Sequence, residues 1–411
     1  MNGKTLVFLT VMFLIVGNLI GAGILALPVN TGLAGMLPSL LGMALFGTAM
    51  FFSALVLGRE AITSRSDNFN YPSLYAKHLG KAGKWVAILA NMIILYGLLV
   101  AYLSGGAEII VSIFHISPSL KIPILLVLFF LITSLALTKS DVILRYNAII
   151  TLLLLASFAL MIVIGERHIV PSRYTFTDWK YLPMTAPIII TAFHFHNIIP
   201  SICEKMKWNY RMFVGAVAAG MLLGYFMNAM WIQIGIGVLP IDESPNGLLT
   251  AFQQNLPATV PMTRVISSRS FLICALLFPL LAIVTSYIAN GLGLLAFSKD
   301  LLVNQFSLKR SYVSALLAFA PPLAISVIWP DIFLKAINIV GGIGIMTLFG
   351  ILPSIIYLKQ AKAISKKVLG LLMLVLFSIC LLVEIGQETG MLRLQPEMEY
   401  SEPLKKIVHK K

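Results

Sequence analysis

The sequence has few charged residues and few cysteines. Only 11% of its 411 residues are Asp, Glu, Lys or Arg, whereas 59% are hydrophobic. About a quarter of the residues in a soluble domain are charged, so a soluble globular protein of this size is excluded. The cysteines Cys203, Cys274 and Cys380 have no C-x-x-C neighbour, which argues against a disulfide framework or a zinc site. The absence of an N-x-Ser/Thr sequon fits a bacterial origin.

Long apolar runs fill most of the chain, and about 20 such residues cross a bilayer as a helix. The runs are continuous rather than alternating, which argues against a β-barrel. We expect an all-α polytopic membrane protein with one transmembrane domain over residues 1–388 and a polar tail over 389–411. The predicted spans, numbered 1 to 11 in chain order, are Leu6–Pro28, Met36–Leu57, Trp85–Phe114, Ile122–Leu137, Tyr146–Ile164, Leu182–Cys203, Met212–Leu239, Phe271–Phe297, Tyr312–Trp329, Ile332–Tyr357 and Val368–Ile385.

Lysine and arginine are unevenly distributed between the predicted loops. With the N-terminus inside, the inner loops hold 18 of these residues and the outer loops hold 7. Positive residues accumulate on the cytoplasmic side, so we expect a cytoplasmic N-terminus. This bias and contact with anionic lipid account for the net charge of +14 without a role in nucleic-acid binding. The basic tail, with Lys405, Lys406, Lys410 and Lys411, is discordant, because eleven spans would place it outside.

Spans 1 and 6 contain sequences that interrupt a membrane helix. Span 1 has Gly17, Gly21 and Gly23 within seven residues, and each glycine weakens a helix by about 1 kcal/mol relative to alanine. Span 6 has two histidines, an asparagine and a proline within 194–200. The two breaks occupy the same position in two halves of five spans each. Paired interrupted helices of this kind indicate a transporter site near the middle of the membrane.

Four segments carry sequence patterns typical of a known family. Residues 20–28 read Ile-Gly-Ala-Gly-Ile-Leu-Ala-Leu-Pro, and residues 191–201 contain Thr-Ala-Phe, Phe-His and Ile-Pro-Ser in that order. Residues 101–108 read Ala-Tyr-Leu-Ser-Gly-Gly-Ala-Glu, and Thr-Ser-Tyr is followed by Gly-Leu-Gly-Leu within 285–294. These segments resemble the first, sixth, third and eighth helices of the hydroxy and aromatic amino acid permeases. That family belongs to the amino acid–polyamine–organocation superfamily and includes tyrosine- and tryptophan-specific transporters.

The resemblance implies a fold and an activity. The fold would have eleven helices in a LeuT-type 5+5 inverted repeat, with helices 1 and 6 broken and one extra helix. Repeat one would cover about 6–165, repeat two about 182–358, and the extra helix 368–388. The activity would be proton-coupled amino acid uptake. Three positions depart from the family pattern, since His194 and Asn197 replace glycines and Ala296 replaces an aspartate of the eighth helix.

A broken helix can bind an amino acid zwitterion without charged side chains. The N–H groups that begin a half-helix suit the carboxylate, and the carbonyls released at the break accept from the ammonium. Glycine lets the ligand approach the backbone, and nearby aromatic side chains could stack on a ring. The predicted substrate-binding residues are Gly17, Asn18, Ile20, Gly21, Ala22, Gly23, Tyr102, Phe193, His194, Phe195, His196 and Asn197.

Four residues are candidates for ion coupling, because polar and ionisable side chains inside a membrane are often functional. His196 is a proton carrier, since histidine titrates near neutral pH, or a neutral residue that lines the site, or a purely structural residue. Glu108 either faces the cavity or lies at the outer end of span 3. Thr285 and Ser286 either bind sodium, as a hydroxyl pair does in related sodium-coupled carriers, or bond back to their own helix.

Two further predictions concern ionisable residues. Glu384 and Glu388 lie at the end of span 11, where we expect them at the membrane–water interface. His194 and His196 form an H-x-H pair without a convincing third ligand, so no metal site is predicted. No cofactor is expected either.

The sequence therefore predicts a secondary active transporter, not an enzyme, in the bacterial inner membrane. It would import an amino acid, tyrosine or tryptophan first, by proton symport with alternating access. A sodium-coupled carrier and a carrier of small or branched neutral amino acids are the alternatives within the same fold. An integral membrane enzyme that uses His194 and His196 is a further alternative. The partners would be the amino acid, the coupling ion and membrane lipid, and no nucleic acid.

Overall fold

The structure, a computed structural model, describes residues 3–65, 70–138, 141–307, 310–394 and 396, without the side chains of residues 22, 141–148 and 304–306. Helices dominate this part of the chain, and the β contact within it is an isolated bridge between Gly35 and Thr177. Ten of its helices are long and apolar enough to cross a membrane, or eleven with the bent first pair counted as one span. The predicted tail beyond residue 396, with its four lysines, lies outside the described residues.

The observed helices follow the predicted spans and extend several of them. Span 1 consists of Gly3–Leu19 (1a) and Ala22–Gly32 (1b), and span 6 of Leu182–Ala192 (6a) and Ile199–Lys205 (6b). The other spans, in order, are Met36–Ser64, Tyr71–Ile113, Lys121–Leu137, Asp141–Glu166, Tyr210–Val238, Arg269–Phe306, Ser311–Ile328, Phe333–Gln360 and Ile364–Glu388. Short helices at Leu248–Gln253 and Thr259–Val265 lie between spans 7 and 8.

The packing of the spans repeats with a shift of five. Span 3 packs against spans 4 and 10, and span 8 packs in the same way against spans 9 and 5. Span 1 packs against span 7, and span 6 against span 2. Because five is odd, corresponding helices cross the membrane in opposite directions, so the repeat is inverted. This pattern fits the predicted 5+5 arrangement, and span 11 packs against span 10 as the extra helix.

Span 3 begins at Tyr71, well before the predicted start at Trp85. Residues 71–84 are too rich in Lys and His to enter hydrocarbon, which is why the apolar pattern starts later. The two parts of the helix meet at Gly80, whose φ of +70° is a left-handed conformation that glycine adopts without strain. The part before Gly80 contacts span 10, where the Tyr75 hydroxyl donates to the Leu348 carbonyl at 2.6 Å.

Span 10 contains a π-helical segment at Val340–Ile351, which the sequence did not predict. Its second and third residues are Gly341 and Gly342, where close neighbours leave no space for a side chain. A Cβ on Gly341 would collide with the Pro187 carbonyl oxygen and the Thr191 hydroxyl of 6a. Apolar periodicity does not distinguish a wide π-turn from an α-turn within a continuous apolar run. Segments of this kind occur frequently at functional sites.

Candidate functional site

The break in span 1 separates two half-helices that are bent by 56° relative to each other. Half-helix 1a ends at Leu19 and 1b begins at Ala22, with Ile20 and Gly21 between them. Gly21 is extended, with φ −132° and ψ −150°. The last carbonyls of 1a and the first N–H groups of 1b have no partner within their own helices. The break therefore presents acceptors and donors side by side without a charged side chain.

The break in span 6 runs from Phe193 to Ile198. Half-helix 6a ends at Ala192, and a single 3₁₀ turn at His196–Ile198 leads into 6b. Pro200 lies in the first turn of 6b, where its missing N–H interrupts no hydrogen bond. The proline therefore starts the second half-helix instead of kinking a continuous one.

The two breaks touch each other at Gly23. A Cβ built on Gly23 would lie 2.8 Å from both the Cα and the N of Ala192, the last residue of 6a. These are backbone atoms, so they cannot rotate away as a side chain could. Half-helices 1b and 6a therefore pack backbone to backbone, and this contact requires glycine.

A cavity of about 750 Å³ lies beside both breaks, with residues of spans 1, 3, 5, 6 and 8 on its walls. The cavity reaches Thr10 in 1a, Leu152 in span 5 and Lys205 at the end of 6b. Spans 1 and 5 begin at the face that carries the N-terminus, and span 6 ends there. The cavity thus opens from the breaks toward the N-terminal face.

The opposite face is closed over half-helix 1b. The Ala258 N–H, in the loop between spans 7 and 8, donates to the Leu25 carbonyl at 3.0 Å. The Asp178 N–H, in the loop before span 6, donates to the Ala34 carbonyl at 2.8 Å. Neither loop contributes residues to the cavity wall.

The structure brings most of the predicted site residues to this cavity. The predicted residues on its wall are Gly17, Asn18, Ile20, Gly21, Gly23, Tyr102, His194, Asn197, Thr285 and Ser286. Phe193, Phe195, His196 and Glu108 are not among the wall residues, and the Ala22 side chain lies outside the described part. Their roles in binding or coupling stay predictions.

The two histidines of span 6 have different surroundings although they are two residues apart. Their rings are parallel, with centroids 6.0 Å apart, and the Phe349 ring lies 5.1 Å from His194 and 5.2 Å from His196. His194 lines the cavity, whereas the His196 ring is fully buried, with Nε2 3.1 Å from the Met50 carbonyl oxygen. The Tyr71 hydroxyl donates to the His196 carbonyl. Within the described residues, no group of three His, Cys, Asp or Glu could hold a metal ion.

Spans 3 and 8 present a polar cluster to the break in span 1. A Cβ on Gly21 would lie 3.6 Å from the Tyr102 hydroxyl and 3.7 Å from the Ser286 hydroxyl. The Asn290 amide donates to the Ser286 carbonyl at 2.9 Å and reaches the Tyr102 hydroxyl at 3.5 Å. The Thr285 hydroxyl donates to its own helix, at the Leu281 carbonyl, at 2.8 Å. Backbone and hydroxyl groups thus converge on Gly21.

Glu108 lies in a separate cluster at the outer end of span 3. Its carboxylate forms an ion pair with Lys121 at the start of span 4, and Lys121 also contacts Asp331. The Ser112 hydroxyl donates to the same carboxylate at 2.6 Å. These contacts favour the outer-end interpretation of Glu108 over a role in the cavity.

Several wall residues were missed by the sequence analysis. Asn290 lies one helical turn after Ser286, so a polar i, i+4 pair in an apolar span was the signal that could have identified it. Thr191 and Lys205 lie on the wall as well, and span 5 contributes residues 150–152, 154 and 155. Apart from Thr151, the span 5 residues are apolar and carry no such signal.

The expected interfacial position is wrong for Glu384 and fits Glu388. Glu384 is only 1% exposed and packs on span 10 at Gly342. Glu388 forms an ion pair with Lys335 in the first turn of span 10, at 3.0 Å. The end of span 11 is covered by protein on one side, which its apolar sequence does not reveal.

Two broken helices facing each other in an inverted repeat, with a cavity open on one face, define a transporter of LeuT-like fold. The sequence pattern of the tryptophan/tyrosine permease family matches residues 4–387, and the chain belongs to that family. It is accordingly a permease rather than an enzyme. Its many apolar helices and its bacterial relatives make it an integral inner-membrane protein.

Known proteins support this assignment at the level of sequence and of fold. The chain is 28% identical to tyrosine-specific transport system 1 of Haemophilus influenzae over 336 residues, which are 80% of this chain and 82% of the relative. It is 25% identical to the tryptophan-specific transport protein of Shigella flexneri over 339 residues, 79% and 80% of the two chains. A crystal structure of a mutant manganese transporter of Eremococcus coleocola matches with a TM-score of 0.61 at 12% identity, covering 96% of this chain and 89% of that one. The last likeness concerns the fold alone.

Proposed function

We propose that this permease imports an aromatic amino acid together with a proton, by alternating access. The observation that carries the proposal is the cavity, which touches both helix breaks and opens toward the N-terminal face. With the N-terminus in the cytoplasm, as the distribution of Lys and Arg predicts, this arrangement corresponds to an inward-open state. An outward-open state would form when the bundle containing spans 1 and 6 rocks against its surroundings.

The break in span 1 would bind the backbone of the substrate. The N–H groups at the start of 1b suit its carboxylate, since helix N-termini favour anions, and the free carbonyls of 1a suit its ammonium. The volume of about 750 Å³ lies within the usual range for small-molecule sites, about 300–1,000 Å³. The substrate side chain would extend toward Tyr102, His194 and Asn290, which offer ring faces and hydrogen-bonding groups.

Tyrosine and tryptophan are the first substrates to test, because the relatives described above are named for them. A small or branched neutral amino acid is the alternative, since His194 and Asn197 occupy positions where the family pattern has glycine. Both side chains reach the cavity and reduce the space beside the break. Competition between the two classes of amino acid would decide the matter.

One local observation favours proton coupling over sodium coupling in this proposal. The Thr285 hydroxyl donates to the carbonyls of Leu281 and Ala282, at 2.8 and 3.2 Å, as membrane-helix hydroxyls commonly do. This conformation fits the interpretation in which the hydroxyl pair bonds to its own helix. His196 as the proton carrier stays a prediction.

Uptake of labelled tyrosine, tryptophan, phenylalanine, leucine and serine into proteoliposomes tests the proposal. One positive charge that moves down 100 mV releases about 2.3 kcal/mol, which permits roughly 50-fold accumulation at about 1.4 kcal/mol per tenfold. We expect tyrosine or tryptophan to accumulate in sodium-free buffer under an interior-negative potential with external protons, and to equilibrate after a protonophore is added.

Each contrary result has a definite meaning. Accumulation that requires sodium at fixed pH would replace proton coupling with sodium coupling. Accumulation of leucine or serine that tyrosine fails to inhibit would replace the aromatic substrate with a small or branched one. Absence of uptake for all five would refute both the aromatic substrate and the small or branched neutral alternative.

Asn197 provides a test of the inward-open state. Its side chain is exposed at the cavity wall, whereas the three native cysteines are buried. We expect Asn197→Cys to react with a membrane-impermeant maleimide in inside-out vesicles and to be protected in right-side-out ones. Saturating substrate should slow the reaction. Equal labelling from both sides would contradict a predominantly inward-open state, and the wild-type chain serves as the unlabelled control.

A further inference from the structure

Glu384 is a carboxyl group buried in the membrane-spanning part of the protein, outside the cavity. Its exposed fraction is 1%, and it lies one helical turn before the end of span 11. Its Oε1 has no hydrogen-bond partner among the described residues. A buried ionised carboxylate is costly unless it is paired or hydrogen-bonded. Glu384 therefore requires either a proton or a conformation that gives it other contacts.

Few charged or titratable groups face Glu384. Among the described residues they are Glu388 on its own helix, Lys335 in the first turn of span 10 and the Tyr181 hydroxyl before 6a. Lys335 is held by Glu388 at 3.0 Å and is half exposed, so it is not dedicated to Glu384. Tyr181 in turn faces Asp178. None of these groups forms an ion pair with Glu384 within the described residues.

The backbone of span 10 connects Glu384 to the cavity. Glu384 packs directly on Gly342, where a Cβ would lie 2.8 Å from its Cδ. The preceding residue, Gly341, packs on the Pro187 carbonyl and the Thr191 hydroxyl of 6a. The Thr191 hydroxyl donates to the Pro187 carbonyl at 2.9 Å, and Thr191 lies on the cavity wall. A single layer of backbone, that of Gly341 and Gly342, thus separates the Glu384 carboxyl group from the part of 6a that lines the cavity.

The position of Glu384 relative to the membrane suits a coupling group for import. Span 11 ends at the face opposite the N-terminus, and the first turn of span 10, which holds Lys335, lies at the same face. In this structure that face is closed, and the cavity opens on the other one. A proton bound at Glu384 would therefore come from the outer side, where import requires it to be taken up.

We propose that Glu384 is the proton-binding residue that couples the proton gradient to amino acid uptake, an inference that rests on the proton symport proposed above. The protonated side chain packs against the Gly341–Gly342 segment as observed. The ionised side chain needs water or a partner, so it favours a different packing of spans 10 and 11. Because Gly341 contacts 6a, that change biases the position of the broken helix. Gly341 and Gly342 belong to the π-helical segment, a type of helix that occurs frequently at functional sites.

The test compares Glu384→Gln with Glu388→Gln, its neighbour on the same helix. Glutamine has the shape of protonated glutamate but cannot release a proton. We expect Glu384→Gln to lose accumulation, from roughly 50-fold at 100 mV to an inside-to-outside ratio of about 1, and to retain substrate exchange without a gradient. Glu388→Gln should accumulate like the wild type, because Glu388 lies at the surface in an ion pair.

Substrate exchange separates loss of coupling from loss of folding. If Glu384→Gln shows no exchange, Glu384→Asp becomes the decisive variant, since it keeps a titratable carboxyl group in a shifted position. Coupled uptake with a displaced pH optimum would then support the proposal, and an unchanged pH profile would overturn it.

Two further outcomes complete the test. Full accumulation by Glu384→Gln overturns the proposal, and accumulation lost only in His196→Gln assigns the proton to the histidine instead. If the wild type itself accumulates no substrate under a proton gradient, the proton symport has failed and not the assignment of its carboxyl group. Wild-type uptake is therefore measured first in every preparation.

Discussion

Substitution of Gly23 by alanine is expected to reduce amino acid uptake at least tenfold. The new methyl group would lie 2.8 Å from the backbone N and Cα of Ala192, so half-helices 1b and 6a would have to separate. Overpacking of a rigid contact costs typically about 1–3 kcal/mol, and here the strain falls on the two breaks at which we propose that substrate binds. Initial uptake rates in proteoliposomes, normalised to the amount of reconstituted protein, measure the effect.

Gly17→Ala is the matched control for this substitution. Gly17 lies in the same span and on the same cavity wall, but a Cβ built there meets nothing within 4 Å. Alanine also favours helix by about 1 kcal/mol relative to glycine, which supports half-helix 1a. We expect uptake within about twofold of the wild type. Equal losses in both variants would show that glycine flexibility, and not the contact between 1b and 6a, is what transport requires.

Replacement of Phe349 by alanine is expected to destabilise the folded protein by about 3 kcal/mol. Phe349 is 1% exposed, and its ring packs against His194, His196 and Tyr71, whose centroid lies 4.9 Å away. Substitution of a buried Phe by Ala costs about 3–5 kcal/mol in proteins. We expect the lower end here, because lipid is as apolar as a protein core and lost packing dominates. Unfolding of the purified protein in mixed micelles measures the change.

Phe226→Ala supplies the comparison on span 7. That side chain is 55% exposed at the outer surface of the bundle, so its removal leaves no internal cavity. We expect the loss of stability to be several times smaller than for Phe349→Ala. A similar loss for both would mean that Phe349 does not fix the two histidine rings and that the break in span 6 is held by other contacts.

The contact between half-helices 1b and 6a depends on glycine, whereas the cavity walls depend on how distant spans pack together. The glycines and the proline of spans 1 and 6 predicted where each helix breaks, because these residues act on the backbone locally. The distribution of Lys and Arg and the lengths of the apolar runs predicted the spans in the same local way. The residues around Gly21, such as Tyr102 and Asn290, come from distant spans, so no local pattern could unite them.

The sequence by itself determined the class of protein, the number of spans, the two breaks and the family. Only the tertiary structure decided that His194 faces the cavity while His196 is sealed against Met50, and that Glu384 is buried although Glu388 is not. The physical reason is that lipid and protein interior are equally apolar. An apolar run reports that a segment lies in the membrane, but not which of its faces meets lipid, which meets another span and which lines the path of the substrate.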